Sequence, residues 1–384
     1  SRRQRQMCIR DSSMNVTILG AGNIGLGFVQ RLYYEDSIAI TVFSSKNIFE
    51  NGNLIIKDIE NDRVAEINNI TVTNDARKSL EDADLILCTY PAFLRKEFLR
   101  KYQNYIKSGA MLGFIPGYGG IELYCKNLIK RGVIIFGMQR VPFVARTYLK
   151  ENGQYESNIL SLKKELFIAA IPYLYSKKVA SLMEELLHIK TRIVKEYLSI
   201  TLTPSNPVLH ITGLYNVFKN YKKGMYYKNE LKFYEEWNDE ASEVLFRYDK
   251  EVQEICNSLN PIDLTEVVSL PLYYESEKPS DLTKKLKSIQ AFKAVKVPLK
   301  KLDGNKYVPD FNSRMFIEDY PYGICIFKDI ALMENVNTPV IDMLLKFYEN
   351  LTGKQYFKND NSYGKDINET GVFSITGIKN TDDL

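Results

Sequence analysis

Gly20, Gly22 and Gly25 stand at G-x-G-x-x-G spacing after the apolar positions Val16, Ile18 and Leu19 and ahead of Ile24, Phe28 and Leu32, which recur at helical intervals. A strand that turns through glycines into a helix presents backbone N–H groups to an anion. Gly20 permits the tight turn, Gly22 lets the backbone approach a phosphate closely, and Gly25 lets helix and strand pack together. Asn23 and Ile24, inside the turn, add their amides. The chemistry this predicts is the binding of a dinucleotide's pyrophosphate.

The residues that follow refine the prediction. Ile38 to Phe43 reads as a second strand and completes a βαβ unit. NAD-preferring sites place a carboxylate at the end of that strand to accept hydrogen bonds from the ribose 2′-hydroxyl. Here the chain reads Ser44-Ser45-Lys46, two hydroxyls and an ammonium that suit a 2′-phosphate. NADPH is therefore the expected cofactor, with NADH the other reading and a solvated Lys46 the plainer one. Further strands at Ile70–Val72, Ala83–Cys88, Ala110–Phe114 and Val133–Phe136, with a helix over Ala92–Tyr105, imply a mostly parallel sheet covered by helices. Ligands of such sheets lie at the carboxyl ends of the strands, which points to Tyr90, Pro91, Pro116 and Gly117 as cofactor neighbours, though turns use the same residue types.

Acid/base chemistry has few candidates, because the chain holds only two histidines. His188 follows a helix over Tyr173–Leu187. His210 lies in Ser205-Asn206-Pro207-Val208-Leu209-His210, where Asn206 is a natural helix N-cap and Pro207 a natural first helical residue. Histidine gains and loses its proton near neutral pH, so His210 is the expected acid/base, against a purely structural role. The second cluster is Arg314-Met315-Phe316-Ile317-Glu318-Asp319. Arg314 could clamp a substrate carboxylate through two hydrogen bonds and Asp319 could orient His210; a surface ion pair is the competing interpretation.

These residues need a scaffold, and composition sets its bounds. The 384 residues exceed one ordinary core and favour two domains. The net charge of +4, from 51 basic and 47 acidic residues, is not concentrated in a block, so neither nucleic acid nor a membrane is called for. Cys8, Cys88, Cys125, Cys256 and Cys325 are odd in number, far apart and form no C-x-x-C, so neither a zinc site nor a disulfide framework is indicated, and reduced thiols in the cytoplasm fit best. No metal is expected. The reading assigns residues 1–13 to a disordered tag or extension ahead of Met14, 14–195 to a Rossmann dinucleotide-binding domain, and 196–384 to a helical substrate domain. Helices are expected over Pro207–Lys219, Leu231–Ser258, Asp281–Phe292 and Val340–Leu351, with a solvated amphipathic helix near Tyr221–Tyr234 and a partly mobile tail from Lys354 to Leu384. A homodimer is kept as an expectation, with no residue pattern that fixes it.

The glycine fingerprint, the run Gln139-Arg140-Val141-Pro142-Phe143-Val144-Ala145-Arg146, the Asn206-Pro-x-x-His210 motif and Arg314-x-x-x-x-Asp319 together resemble the octopine/nopaline (opine) dehydrogenase family from about Met14 to Met343. The resemblance implies an α/β Rossmann domain followed by an all-helical domain. It implies reductive condensation: an α-keto acid and an amino acid's amine form an imine, which NAD(P)H reduces to a secondary-amine dicarboxylate. His210 is then the acid/base, Asp319 its dyad partner, Asn206 a neighbouring hydrogen-bonding group and Arg314 the substrate-carboxylate anchor. Some relatives carry a cysteine before the arginine matching Arg146, where this chain has Ala145, a departure that bears on the amino-acid pocket. Two other functions fit the same residues: an NADP-dependent 2-hydroxy-acid or ketopantoate-type reductase that needs no amine, and a non-catalytic NADP-binding sensor.

Overall fold

Strand register explains how distant loops reach one edge of the first sheet. The computed structural model describes residues 13–59 and 61–378, so Cys8 and nearly all of the expected tag lie outside the described residues. β1 (Met14–Leu19), β2 (Ile38–Phe43), β3 (Leu54–Asp58), β4 (Arg63–Ile67), β5 (Thr71–Thr73), β6 (Leu85–Cys88), β7 (Met111–Phe114), β8 (Ile134–Met138), β9 (Phe143–Leu149), β10 (Tyr155–Leu162), β11 (Glu165–Ile171) and β12 (Lys190–Ile193) form two sheets. The larger runs β12-β11-β8-β7-β6-β1-β2-β5 and is parallel except where β11 meets β8. Leu19 pairs with both Phe43 and Cys88, and Cys88 with Phe114. The residues after these four strand ends therefore emerge side by side, at the point where strand order reverses about β1.

The smaller sheet, β4-β3-β10-β9, was not legible as a separate layer. It packs on α1 (Asn23–Leu32): a Cβ on Gly27 would sit 2.3 Å from the Phe143 ring, so only glycine admits this approach. Val16, Ile18, Leu26, Phe28, Leu54, Ile56, Phe143 and Ile159 join the two sheets and α1 in one core.

The chain forms two compact units. One comprises the described residues through Tyr90, Leu94–Gly117 and Tyr124–Ile200; the other comprises Pro91–Phe93, Tyr118–Leu123 and the chain from Thr201 onward. Two short pieces that follow β6 and β7 in sequence thus belong to the second unit. α2 (Ala76–Leu80), α3 (Ala92–Tyr102), α4 (Lys126–Lys130), α5 (Ser176–Leu187) and α6 (Tyr197–Thr201) complete the α/β region. The expected helix over 92–105 ends in a 3-10 turn at Gln103–Tyr105.

The second unit is helical: α7 (Asn206–Phe218), α8 (Asp239–Ser258), α9 (Leu270–Tyr273), α10 (Pro279–Ser288), α11 (Arg314–Ile317), α12 (Cys325–Met333) and α13 (Pro339–Thr352), with one hairpin, β13 (Leu299–Leu302) and β14 (Lys306–Pro309). Three expectations are corrected. The helix expected from Leu231 starts only at Asp239, where Asn238 accepts a bond from the Ala241 N–H as N-cap. The stretch Tyr221–Tyr234 is not a helix: the backbone of Tyr227 pairs with Tyr307 and Phe233 donates to Val295, and these non-local bonds outcompete local helix formation. The tail is held as far as residue 378. Buried Asp329 accepts bonds from the Tyr363 hydroxyl, the Phe373 and Ser374 N–H groups and the Ser374 hydroxyl, while Tyr356, Phe357, Val372 and Phe373 are buried. Polar composition concealed this because the anchor lies on another element. Among the described residues no helix is long and apolar enough to cross a membrane.

Candidate active site

In the first unit the glycine turn has the geometry that phosphate binding requires. Gly20 adopts φ +103°, a conformation disfavoured for residues with a Cβ, and a Cβ on Gly25 would lie 2.0 Å from the Gly20 carbonyl oxygen. Gly22 takes the N-cap position of α1 with no side chain closing it, and a Cβ there would meet nothing within 4 Å. The first-turn N–H groups of this ten-residue helix have no intrahelical or side-chain cap partner, a cradle that fits a pyrophosphate. The Asn23 side-chain oxygen accepts the Thr147 N–H at 2.8 Å and so ties β9 to the turn. Ile24 is half-buried beside it.

Thr89 and Tyr90 close over the same turn. The Thr89 hydroxyl donates to the Leu19 carbonyl at 2.7 Å, and both side chains approach Gly20. Burial pushes the Tyr90 phenol well above its ordinary range, keeping it a neutral hydroxyl. Buried Arg95 donates to the carbonyls of Tyr90 and Pro116 at 2.9 and 2.7 Å and thereby joins two strand-end loops. The sequence reading missed this arginine, whose helical position offers no chemical signature. Gly117 is a packing glycine: a Cβ would stand 2.8 Å from Gly137 Cα, and its carbonyl accepts the Tyr197 hydroxyl. At the end of β2, Ser44 accepts the Lys46 N–H, and Ser45 and Lys46 are exposed. Pro91 belongs to the second unit.

The second unit brings His210 and Asp319 together. His210 is the fifth residue of α7, and its Nδ1 lies 2.7 Å from Asp319 Oδ2. Ser205, not Asn206, occupies the N-cap position; Asn206 is the exposed first helical residue, so His210 comes one residue later in the helix than expected. The four-residue interval still puts Asn206 and His210 on one helix face. Asp319 leads into a π-helical turn, Tyr320–Ile324, in which the Ile324 N–H bonds back to the Asp319 carbonyl at 3.1 Å. Gly323 lets this turn meet α7, since a Cβ would be 2.4 Å from Pro207. Phe233 sets its ring edge-on to the imidazole at 5.9 Å.

Asp319 is only 3% exposed, and burial raises its carboxyl above the usual range against the lowering influence of His210. Nearby Glu318 raises it further and Arg314 lowers it. His210 keeps 19% of its side chain exposed, so one ring nitrogen is committed while the ring retains access to the outside. Arg314 is exposed, and its Nε and Nη2 donate to Glu318 Oε2 at 3.3 and 3.1 Å. Among the described residues its Nη1 has no partner. Glu318, unremarked in the sequence reading, is buried, and its Oε1 accepts the Ala92 N–H at 2.9 Å. Its four-residue spacing from Arg314 was the available signal. His188, by contrast, caps α5 in a left-handed conformation and bonds exposed to Glu35.

Two family models match separate stretches of the chain. Residues 193–352 match the family model for the alpha-helical domain of NAD/NADP octopine/nopaline dehydrogenase, and residues 16–153 match ketopantoate reductase PanE/ApbA. The chain is 27% identical over 331 residues to an opine dehydrogenase of Haliotis discus hannai, covering 82% of this chain and 80% of the relative. It is 23% identical over 330 residues to a tauropine dehydrogenase of Arabella iricolor, covering 82% of each. An octopine dehydrogenase structure described with NADH and L-arginine superposes with a TM-score of 0.79 at 21% identity, covering 96% of this chain and 97% of that one, a likeness of fold.

Proposed function

This chain belongs to the octopine/nopaline dehydrogenase family, and on that premise we propose that it catalyses NAD(P)H-dependent reductive condensation of an amino acid's amine with an α-keto acid, giving a secondary-amine dicarboxylate. The observation that carries the reading is the His210–Asp319 pair, 2.7 Å apart with its carboxylate buried, in the unit that also presents Arg314.

The residue roles follow from charge and proton bookkeeping. Condensation needs a base to take a proton from the ammonium of the amino acid, then an acid to protonate the departing hydroxyl as the imine forms. One imidazole serves both steps in turn. Asp319, held at Nδ1, orients the ring and stabilises the imidazolium formed after the first step. Arg314 offers its free Nη1 edge to the keto-acid carboxylate, and Asn206 supplies a hydrogen-bonding amide one turn before His210. A dihydronicotinamide, when bound, would supply the hydride for reduction at the imine carbon. Gly20, Gly22, Asn23, Ile24 and Gly25 would hold its pyrophosphate, with Tyr90, Pro116 and Gly117 of the same unit as neighbours. Ser44, Ser45 and Lys46 favour NADPH over NADH because two hydroxyls and an ammonium match a 2′-phosphate. We assign residues 14–195 to cofactor binding and 196–384 to substrate chemistry. The buried free thiols of Cys88, Cys125, Cys256 and Cys325 support a cytoplasmic setting, and a homodimer remains our working assembly.

The test is oxidation of NADPH and of NADH at 340 nm against a grid of α-keto acids, each with and without amino acids. Oxidation only when both substrates are present supports condensation. Oxidation by a keto acid alone replaces the reading with a ketopantoate-type reductase, and cofactor binding without turnover on any pair leaves the sensor. Lys46→Gln is expected to raise the KM for NADPH while sparing that for NADH; equal effects on both would refute the 2′-phosphate assignment.

A further inference from the structure

We infer that Glu318 is the positioning residue that aims Arg314 at the substrate carboxylate. The inference rests on the anchoring role given to Arg314 above. A guanidinium on a long, exposed side chain samples many rotamers, and a carboxylate on one of its edges removes that freedom. Glu318 occupies the Nε–Nη2 edge through a single oxygen, Oε2, and leaves Nη1 open. An incoming carboxylate therefore finds one donor edge already oriented.

Glu318 can do this because it is itself fixed. Its side chain is buried, and its other oxygen accepts the Ala92 N–H at 2.9 Å. An exposed ion pair at four-residue spacing ordinarily contributes little, because both side chains move freely. Here only the arginine is exposed; the carboxylate is held at both ends of its fork. The arrangement also places Glu318 next in sequence to Asp319, so the anchor and the acid/base partner issue from one short stretch of chain. No other carboxylate among the described residues pairs with Arg314.

The test measures steady-state kinetics with pyruvate, 2-oxoglutarate and oxaloacetate, each with a saturating mixture of amino acids, in wild type, Arg314→Gln, Glu318→Gln and the double variant. Glu318→Gln retains a carbonyl for the Ala92 N–H but cannot accept from the guanidinium. The keto-acid KM is expected to rise about 10- to 100-fold with kcat changed only a few-fold, the scale of one charge-assisted contact. Once Arg314 is gone, Glu318→Gln should add almost nothing, a non-additivity that a merely structural role would not produce. Unchanged cofactor affinity of the Gln variant, read by quenching of protein fluorescence, certifies the fold. Should that variant not fold, Glu318→Asp, shorter by one methylene, is expected to show the same KM rise. A wild-type KM in the folded Glu318 variant, or additive effects in the double variant, overturns the inference. If Arg314→Gln itself leaves KM unchanged, the anchoring role fails instead.

Discussion

Asp319→Asn separates catalysis from stability. The substitution keeps the size and shape of a side chain that is 3% exposed, removes its charge, and leaves a carbonyl able to accept from His210. The lost interaction is a charge-assisted bond of 2.7 Å. Such bonds contribute about 1.5–3 kcal/mol, which corresponds to about 10- to 150-fold in rate if the full amount is felt in the transition state. Loss of control over which ring nitrogen bears the proton adds to this, so kcat should fall by about 10²-fold or more, within the range for acid/base groups. Stability should move the other way. Burial raises the folded-state pKa of Asp319 above its unfolded value, so the native chain holds this proton more tightly and ionisation costs stability as pH rises. Asparagine removes that cost while keeping a carbonyl that the His210 ring can bond. Thermal unfolding of the two proteins should coincide in acid, with the variant equal or more stable at neutral pH. Cofactor oxidation at saturating substrates and a melting series across pH measure the two halves. Turnover within about threefold of wild type, or a melting temperature lowered by many degrees at neutral pH, would refute the reasoning.

Gly25→Ala should abolish cofactor binding or folding, because the new methyl would collide with the backbone of Gly20; tight cofactor binding by a soluble variant would contradict the turn geometry. Asp329→Ala strands four donors that now share one buried carboxylate, and is expected to lower stability by about 3 kcal/mol or more and to open the segment after Lys354 to protease, both measurable on the purified protein. Asp84 is held below the usual carboxylate range, burial being outweighed by hydrogen bonds from Lys107 and the Asn15 N–H. Its stabilisation is present above the unfolded carboxylate value of about 4 and is lost as pH falls further. Asp84→Asn should therefore be less stable than wild type at neutral pH and indistinguishable from it in strong acid.

Local pattern carried much of the α/β half. The limits read for β2, Ile38 to Phe43, coincide with the observed strand, and α7 differs from its expected start by one residue, because alternation, helical spacing and Pro207 act over a few neighbours. The candidate residues were visible for the same reason: glycine spacing and one histidine after Asn-Pro are chemical signatures that need no neighbours in space.

What required the tertiary structure is everything set by partners far along the chain. The pairing of His210 with Asp319 spans 109 residues and depends on Gly323 allowing the π-helical turn against Pro207. The irregular path of Tyr221–Tyr234 and the ordered segment after Lys354 are decided by backbone and carboxylate partners on β14 and α12, so composition misjudged both. Arg95 and Glu318 lay hidden because a buried charge declares itself only through what it holds. Sequence specifies which groups are available and their local conformation; burial and long-range hydrogen bonds decide which of them meet, since those energies depend on distance in space and not on separation along the chain.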